Sequence, residues 1–126
     1  MKGQICVFLV CSNDRLTSVI RDFLELEHRI EVVGVANSAK DALKRFELVA
    51  PDAVVLETGW NVLSGLQSLR LFRDRLPSIK VIVLSFLEQD GYRSAFLETG
   101  AHDFVSEMDI LNSLLPAIFT SGNANE

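Results

Sequence analysis

Short apolar runs alternate along the chain with segments in which apolar residues recur every three or four positions. The runs lie at residues 5–10, 31–35, 53–56, 79–84 and 104–105. Runs this short, apolar at nearly every position, are typical of strands that are buried on both faces of a sheet. The pattern therefore predicts five strands with little exposure to solvent.

A helix is predicted after each of the five runs. Three of the helices carry apolar stripes with helical spacing, formed by Leu16, Val19, Ile20, Phe23 and Leu24, by Ala39, Ala42, Leu43, Phe46 and Val49, and by Ile110, Leu111, Leu114, Leu115 and Ile118. The third and fourth helices are predicted at residues 65–76 and 88–99, and Gly100 is a C-terminal cap signal for the latter. Ser38 and Asp41 resemble a capping box at the start of the second helix.

Alternating strands and helices predict an α/β fold, in which a five-stranded parallel sheet is doubly wound, with helices on both of its faces. In such sheets ligands bind outside the carboxyl ends of the strands. The polar side chains expected at those ends are Cys11, Ser12, Glu57, Ser85 and Glu107. Glu57 is the most conspicuous of them, because the stretch "AVVLETGWN" sets a carboxylate directly after a buried strand.

Length and charge narrow the class of protein. The 126 residues suit one domain at residues 1–120, and the small polar residues 121–126 predict a flexible tail. A net charge of −5 argues against direct nucleic-acid binding, which needs clustered lysine and arginine. No apolar stretch approaches the roughly 18 residues of a membrane span, and the first run is too short for a signal peptide. These features predict a cytoplasmic protein without a membrane segment.

The cysteines and histidines do not indicate a disulfide or a metal site. Cys6 and Cys11 lie on one predicted strand, where five residues span roughly 16 Å, too far for a bond between them. His28 and His102 are isolated in the sequence and do not form a ligand cluster. We therefore expect no metal and no other cofactor.

Four segments carry a resemblance to a known family: "VFLVCSNDRLTSVIRDFLE", "VVGVANSAKDALKRFELVAPDAVVLE", "GLQSLRLFRDRLPSIKVIVLS" and "LETGAHDFVSE". They resemble the receiver domain of bacterial two-component response regulators, over residues 5 to about 118. The resemblance implies a flavodoxin-like, CheY-like (βα)5 fold with strand order 2-1-3-4-5. It also implies a role in signal transduction.

When the family's functional residues are carried over position by position, most of those needed for phosphorylation are absent from this chain. Cys11 and Ser12 fall where receivers have two acidic residues that hold Mg²⁺, and Glu57 falls on the phosphoacceptor aspartate. Glu107 falls on the family's lysine. The resemblance implies that the family's switch residues are retained as Ser85, at the end of the fourth apolar run, and Phe104, in the fifth.

These replacements weaken the case for aspartyl-phosphate chemistry. Mg²⁺ prefers hard oxygen ligands, and a thiol and a hydroxyl bring no charge to it. Phosphoryl transfer also needs positioned cations, whereas Glu107 is a carboxylate. If Glu57 and Glu107 both faced the crevice, their repulsion would raise the pKa of one of them. The simplest relief would be for Glu107 to turn towards water.

Several interpretations of the site residues remain open. Glu57 is a weak phosphoacceptor, a mimic of the phosphorylated state that accepts a bond from Ser85, or a partly exposed strand-end carboxylate without such a role. Cys11 is a small semi-buried residue or, less simply, a reactive thiol. Ser12, Asn13 and Asp14 are residue types that cap helices, and Asp14 is also a candidate metal ligand.

Two parts of the chain are candidates for a protein-interaction surface. Trp60, which with Asn61 replaces the family's Met-Pro, is either a local lid or an interface anchor. The resemblance implies a second surface on the fourth helix, fifth strand and fifth helix, with Tyr92, Phe96 and Leu115 as candidates. Pro116 predicts a kink or break in the fifth helix near residues 113–115, which would expose its leucines.

We therefore expect an atypical receiver, a pseudo-receiver that acts as a phosphorylation-independent protein-interaction module and not as an enzyme. Its partner would be a signalling protein or a second copy of the chain. One alternative is an active receiver that uses Glu57 as its acceptor, with Asp14 helping to hold metal. The other is a small-molecule sensor that uses the crevice at the strand ends.

Overall fold

Five parallel strands form one sheet in the computed structural model, which describes residues 3–120. The strands are Ile5–Val10 (β1), Ile30–Ala36 (β2), Ala53–Gly59 (β3), Lys80–Ser85 (β4) and Asp103–Ser106 (β5). Their order across the sheet is β2-β1-β3-β4-β5, as predicted. The predicted flexible tail, residues 121–126, lies outside the described residues.

Each strand is followed by a helix, which confirms the α/β prediction. The helices are Asp14–Glu25 (α1), Ala39–Val49 (α2), Val62–Arg75 (α3), Asp90–Thr99 (α4) and Ile110–Phe119 (α5). A 3₁₀ turn, Glu107–Asp109, lies between β5 and α5. Within residues 3–120, no helix is both long enough and apolar enough to cross a bilayer.

Side chains cap the helices at the positions that the sequence suggested. Asn13 accepts a hydrogen bond from the Leu16 N–H at 3.0 Å, so capping is the observed role of this polar segment. Ser38 accepts from the Asp41 N–H at 3.1 Å. The reciprocal half of the capping box is not formed by Asp41, whose carboxylate lies 3.8 Å from Arg45.

Side chains alternate along β1 between two apolar layers. Val7 and Leu9 pack on the side of α1 and α5, whereas Phe8 and Val10 pack on the side of α2, α3 and α4. On the first side, the helices contribute fully buried residues such as Leu24. This arrangement covers the sheet on both faces and leaves its carboxyl edge as the place where polar side chains meet.

Two boundaries differ by three residues from the sequence prediction, and the other differences are smaller. β3 extends through Gly59, beyond the predicted end at residue 56, because Glu57 and Gly59 still pair with β4. α3 begins at Val62 and not at residue 65, since the Asn61 side chain caps it by accepting from the Ser64 N–H at 2.9 Å. In both cases a loop-like composition concealed regular structure.

The predicted interruption of α5 near residues 113–115 is wrong. The helix is continuous from Ile110 to Phe119 with Pro116 inside it. Pro116 and Asn112 are both exposed, so the carbonyl that loses its helical partner can bond to water. Leu114 is fully buried against the sheet, which holds the helix in place.

Candidate functional site

The carboxyl ends of β1 and β3 border a crevice of about 780 Å³. Cys11, Ser12 and Glu57 line it, together with residues from α1, α3 and the loop after β2. Ser85 and Glu107, the other predicted site residues, are buried behind this lining. The fold therefore places the predicted set at one edge of the sheet, in two layers.

Cys11 is a buried, neutral thiol. Its Sγ lies 3.6 Å from Glu57 Oε1 and 3.5 Å from the Asn13 carbonyl oxygen, so the thiol donates towards oxygen. Burial raises the pKa of the Cys11 thiol, and the Glu57 carboxylate adds to the rise, against contacts with Thr17 and Asn13 that lower it. A thiol that stays protonated is a poor nucleophile and a poor ligand for a hard cation.

Ser12 and Asp14 are exposed and do not complete a metal site. Within the described residues 3–120, no three histidine, cysteine, aspartate or glutamate side chains are grouped closely enough to hold a metal ion. Arg15 is the one cation among the described residues that line the crevice, and no ion pair joins it to Glu57.

Glu57 lies in β3, paired with Leu84 of β4, and is half-buried. The strand register shifts between Glu57 and Gly59, so Thr58 is left out of the pairing, as in a β-bulge. Gly59 has φ of +58°, which glycine adopts without strain. A Cβ at Gly59 would lie 3.2 Å from Glu57 Oε2, so the backbone passes close to the carboxylate.

Glu107 does not turn to water, contrary to the expectation from the sequence. It is only 9% exposed and lies at the start of the 3₁₀ turn, facing the Glu57 carboxyl and the backbone of Gly59. Neither of its carboxyl oxygens has a hydrogen-bond partner among the described residues when both glutamates are treated as acceptors. Glu107 directly follows Ser106, the last residue of the short β5, and its side chain is directed inwards.

The pKa of Glu107 is raised to about 8, chiefly by burial and in addition by the adjoining Glu57 carboxyl, against a smaller opposing effect of the Gly59 backbone. The direction agrees with the predicted repulsion between the two carboxyl groups, although desolvation is the larger cause. At neutral pH Glu107 is therefore mainly a carboxylic acid next to a carboxylate. The place of the lysine in the resemblance is taken by a neutral group.

Ser85 is fully buried and does not bond to Glu57. Its hydroxyl lies 3.4 Å from the Gly59 carbonyl oxygen and accepts from the Leu87 N–H at 3.0 Å. The hydrogen bond expected from Ser85 to a phosphate-mimicking Glu57 is therefore absent from this arrangement. Ser85 instead connects the end of β4 to the peptide of Gly59.

Phe104 and Phe96 are both core residues. Phe104 is 5% exposed and stacks on Phe96 with ring centroids 5.5 Å apart. Phe96 is fully buried, so its predicted role as an exposed interface residue is wrong. It lies on the face of α4 that packs against β5, where it contacts Phe104. Tyr92 and Leu115 are half-buried and form no continuous apolar patch with it.

Trp60 is an exposed aromatic residue at the rim of the crevice. It is 69% exposed and stacks on Phe86, with ring centroids 4.9 Å apart. Leu63 and Val19 are also exposed at 73% and 61%, on α3 and α1 respectively. The sequence analysis missed Phe86, which could have been found because it directly follows Ser85 at the same edge of the sheet.

Comparisons with known proteins agree with this architecture. A sequence model of the response regulator receiver domain matches residues 7–117. A protein-glutamate methylesterase/protein-glutamine glutaminase of Halalkalibacterium halodurans is 32% identical over 109 residues, which cover 85% of this chain and 31% of that protein. Its counterpart in Bacillus subtilis is 33% identical over 106 residues, covering 82% and 29%. The chain thus spans about three tenths of the length of these curated relatives.

Solved structures share the fold. The response regulator domain of Thermotoga maritima CheB has a TM-score of 0.82 and 24% identity, over 95% of this chain and 97% of that one. A two-component response regulator of the LuxR family from Aurantimonas sp. SI85-9A1 has a TM-score of 0.83 and 20% identity, over 91% and 82%. At these identities the likeness bears on the fold alone.

Proposed function

Since the chain belongs to the response regulator receiver domain family, we propose that it is a pseudo-receiver, which takes part in two-component signalling without being phosphorylated. It acts as a protein-interaction module and has no enzymatic activity of its own. The observation that carries the proposal is the buried Glu107 beside Glu57, in the place where the family has a cation beside its acceptor. A phosphoryl group on Glu57 would add negative charge next to a group that can only become negative.

The Mg²⁺ that the family uses does not fit the residues present. Mg²⁺ needs near-octahedral oxygen coordination and commonly binds through carboxylates. Here the thiol of Cys11 is neutral, Ser12 is exposed, and Glu57 is the one carboxylate lining this part of the crevice among the described residues. The family's metal-dependent step is therefore not assigned to this chain.

Binding of another protein is supported by the exposed apolar side chains around the crevice. Trp60 and Val19 are exposed and line the crevice, and the exposed Leu63 lies in the first turn of α3, which borders it. Other exposed apolar side chains, such as Leu26 and Leu48, are not among the residues that line the crevice. Exposed aromatic residues are enriched among the energetically important residues of interfaces. We infer that this surface, and not a face built on Phe96, binds a signalling protein or a second copy of the chain. The esterase activity named for the relatives is not assigned, because the match covers about three tenths of their length.

A small-molecule sensor is the second candidate. The crevice of about 780 Å³ is within the usual size of ligand sites, and the Trp60–Phe86 stack provides an aromatic wall at its rim. A screen of thermal shifts with nucleotides, flavins and anions tests this function. A saturable rise in the melting temperature that Trp60→Ala abolishes would favour the sensor over the interaction module.

Incubation with acetyl phosphate and Mg²⁺, followed by intact-mass measurement, tests the proposed function. We expect no phosphoryl adduct and no Mg²⁺-dependent binding of beryllofluoride. The positive control is a variant that restores the family's residues, with Cys11→Asp, Ser12→Asp, Glu57→Asp and Glu107→Lys. A stoichiometric, base-labile adduct on Glu57 of the unmodified chain would instead establish an active receiver.

A further inference from the structure

The carboxyl pair formed by Glu57 and Glu107 has few hydrogen-bond donors: the Cys11 thiol lies 3.6 Å from Glu57 Oε1, and the Gly59 backbone faces Glu107. Glu107 is about nine-tenths buried, and both of its oxygens are without a partner among residues 3–120. Two ionised carboxylates can only accept hydrogen bonds, so neither can satisfy the other. Burial of an unsatisfied charged group is costly, and one proton added to the pair would turn an acceptor into a donor.

We propose that Glu57 and Glu107 form a binding site for a single proton, which takes the place of the missing cation, and that its occupancy sets the position of the Gly59–Trp60 segment. The proton resides mainly on Glu107, whose O–H donates towards the Glu57 carboxylate. This inference goes beyond the proposed function, since it concerns how the interaction surface is regulated and does not depend on which partner binds.

Among the described residues around the pair, no charged or titratable side chain forms an ion pair with it, so a bound proton is what offsets its charge. From the β1–α1 segment, Cys11 is protonated, and Arg15 lines the crevice without an ion pair. From β4, the Ser85 hydroxyl is engaged with Gly59 and Leu87. The crevice-lining residues of α3 and of the loop after β2 carry no charge.

The turn that carries Glu107 also holds Asp109, which faces away from the pair. The Asp109 carboxylate accepts hydrogen bonds from Ser113 and Asn112 of α5, and these bonds lower its pKa. It is therefore ionised across the pH range in which the pair would titrate. The raised pKa of Glu107, about 8, fits a pair that holds its proton at neutral pH and releases it under mildly alkaline conditions.

A chain of contacts links the pair to the crevice rim. Glu57 Oε2 packs against the backbone of Gly59. The Gly59 carbonyl oxygen lies 3.3 Å from the Phe86 N–H and 3.4 Å from the Ser85 hydroxyl. Trp60 follows Gly59 and stacks on Phe86.

Loss of the proton would place two like charges side by side, and the half-buried Glu57 has more freedom to move away than the buried Glu107. Movement of Glu57 displaces the Gly59 peptide and hence the Trp60 ring. The apolar rim presented to a partner therefore differs between the protonated and deprotonated forms.

The fluorescence of Trp60, the only tryptophan of the chain, reports this change directly. We expect a one-proton transition with a midpoint near 8 for the full chain titrated from pH 5 to 9.5. Glu107→Gln, which keeps a neutral donor of the same shape, should abolish the transition. Glu57→Gln should move the midpoint down by about one pH unit or more, because the repelling charge is gone. Glu98→Gln, at an exposed carboxylate of α4, should leave the midpoint unchanged.

Carboxyl ¹³C NMR of the unmodified chain, labelled in glutamate, provides an independent measurement that needs no variant. One glutamate titrating near pH 8 supports the site. The proposal is overturned if every glutamate titrates below about pH 6, in the ordinary range. It is also overturned if the fluorescence transition persists at the same midpoint in Glu107→Gln. Neither outcome bears on phosphorylation, so failure here is distinguishable from failure of the pseudo-receiver function.

Discussion

Replacement of Glu107 by glutamine is expected to stabilise the protein at neutral pH and to leave it nearly unchanged in mild acid. In the folded protein the pKa of Glu107 is about 8, against an ordinary value of 4.5. Between these two values the folded state binds more protons at this site than the unfolded state does. The free energy of unfolding therefore falls as the pH rises through this range. Below it both states are protonated, and above it the loss is complete.

The size of the effect follows from proton linkage. Within the range, each pH unit changes the free energy of unfolding by at most about 1.4 kcal/mol for one group. Between pH 5.5 and 7.5 Glu107 should therefore remove roughly 2–3 kcal/mol of stability from the unmodified chain. Glutamine does not titrate, so the stability difference between variant and unmodified chain should grow by that amount over the same interval.

Urea unfolding of both proteins at pH 5.5 and 7.5 measures this growth. Other titrating groups, including the histidines, contribute to both proteins and cancel in the difference. Any pH-independent effect of the glutamine amide on packing cancels too. Glu98→Gln, at an exposed position, serves as the matched control and should give no growth. A change of less than about 0.5 kcal/mol in the difference for Glu107→Gln would refute the reasoning, since it would place the pKa near its ordinary value.

Three further predictions concern packing and the crevice rim. Gly65→Ala should lower the free energy of unfolding by about 1–3 kcal/mol, because a Cβ there would lie 2.6 Å from Thr58 Cγ2. The control is Gly91→Ala, which has no atom within 4 Å of its Cβ position. Equal effects of the two variants in urea unfolding would contradict the clash. Leu114→Ala should cost about 2–5 kcal/mol, whereas Leu111→Ala on the exposed side of the same helix should change stability by no more than about 0.5 kcal/mol, and a small effect at Leu114 would mean that α5 is not docked as described. Trp60→Ala should cost about 1 kcal/mol or less in thermal unfolding but weaken binding of a signalling partner at least about tenfold in calorimetric titration; unchanged affinity would remove this residue from the interface.

The order of elements was predictable because the sheet is buried on both faces. Continuous apolar runs then identify the strands, and proline or glycine marks several of the ends. Gly100 adopts the left-handed conformation at the end of α4, as its position after an apolar segment predicts. β1 was predicted with the bounds that are observed, Ile5–Val10, since Gln4 precedes the run and the polar segment Ser12 to Asp14 begins soon after it.

The sequence predicted which residues lie at the site but not how their side chains are arranged. Topology alone brings Glu57 and Glu107 to one edge of the sheet, and that part of the prediction is confirmed. Which of them is buried depends on how the turn after β5 directs its first side chain, and no local pattern in the sequence specifies that direction. The same limit explains Phe96, whose burial against Phe104 arises from the docking of α4 on β5.

Because the pairing at the end of β3 is irregular, sequence changes at the crevice rim have different consequences from changes in the core. Residues of β3 up to Leu56 alternate strictly between the two apolar layers, so a shift of one residue would exchange the layer of every side chain. The bulge at Thr58 interrupts that alternation, and the Thr58 hydroxyl bonds to the Leu84 carbonyl oxygen at 3.0 Å in place of regular pairing. Variation at Trp60 and Asn61, in identity or in number of residues, can therefore be absorbed without reversing the faces of the strand. The rim can diversify between related chains while the sheet beneath it stays the same, which makes this segment the natural place to engineer a new binding specificity.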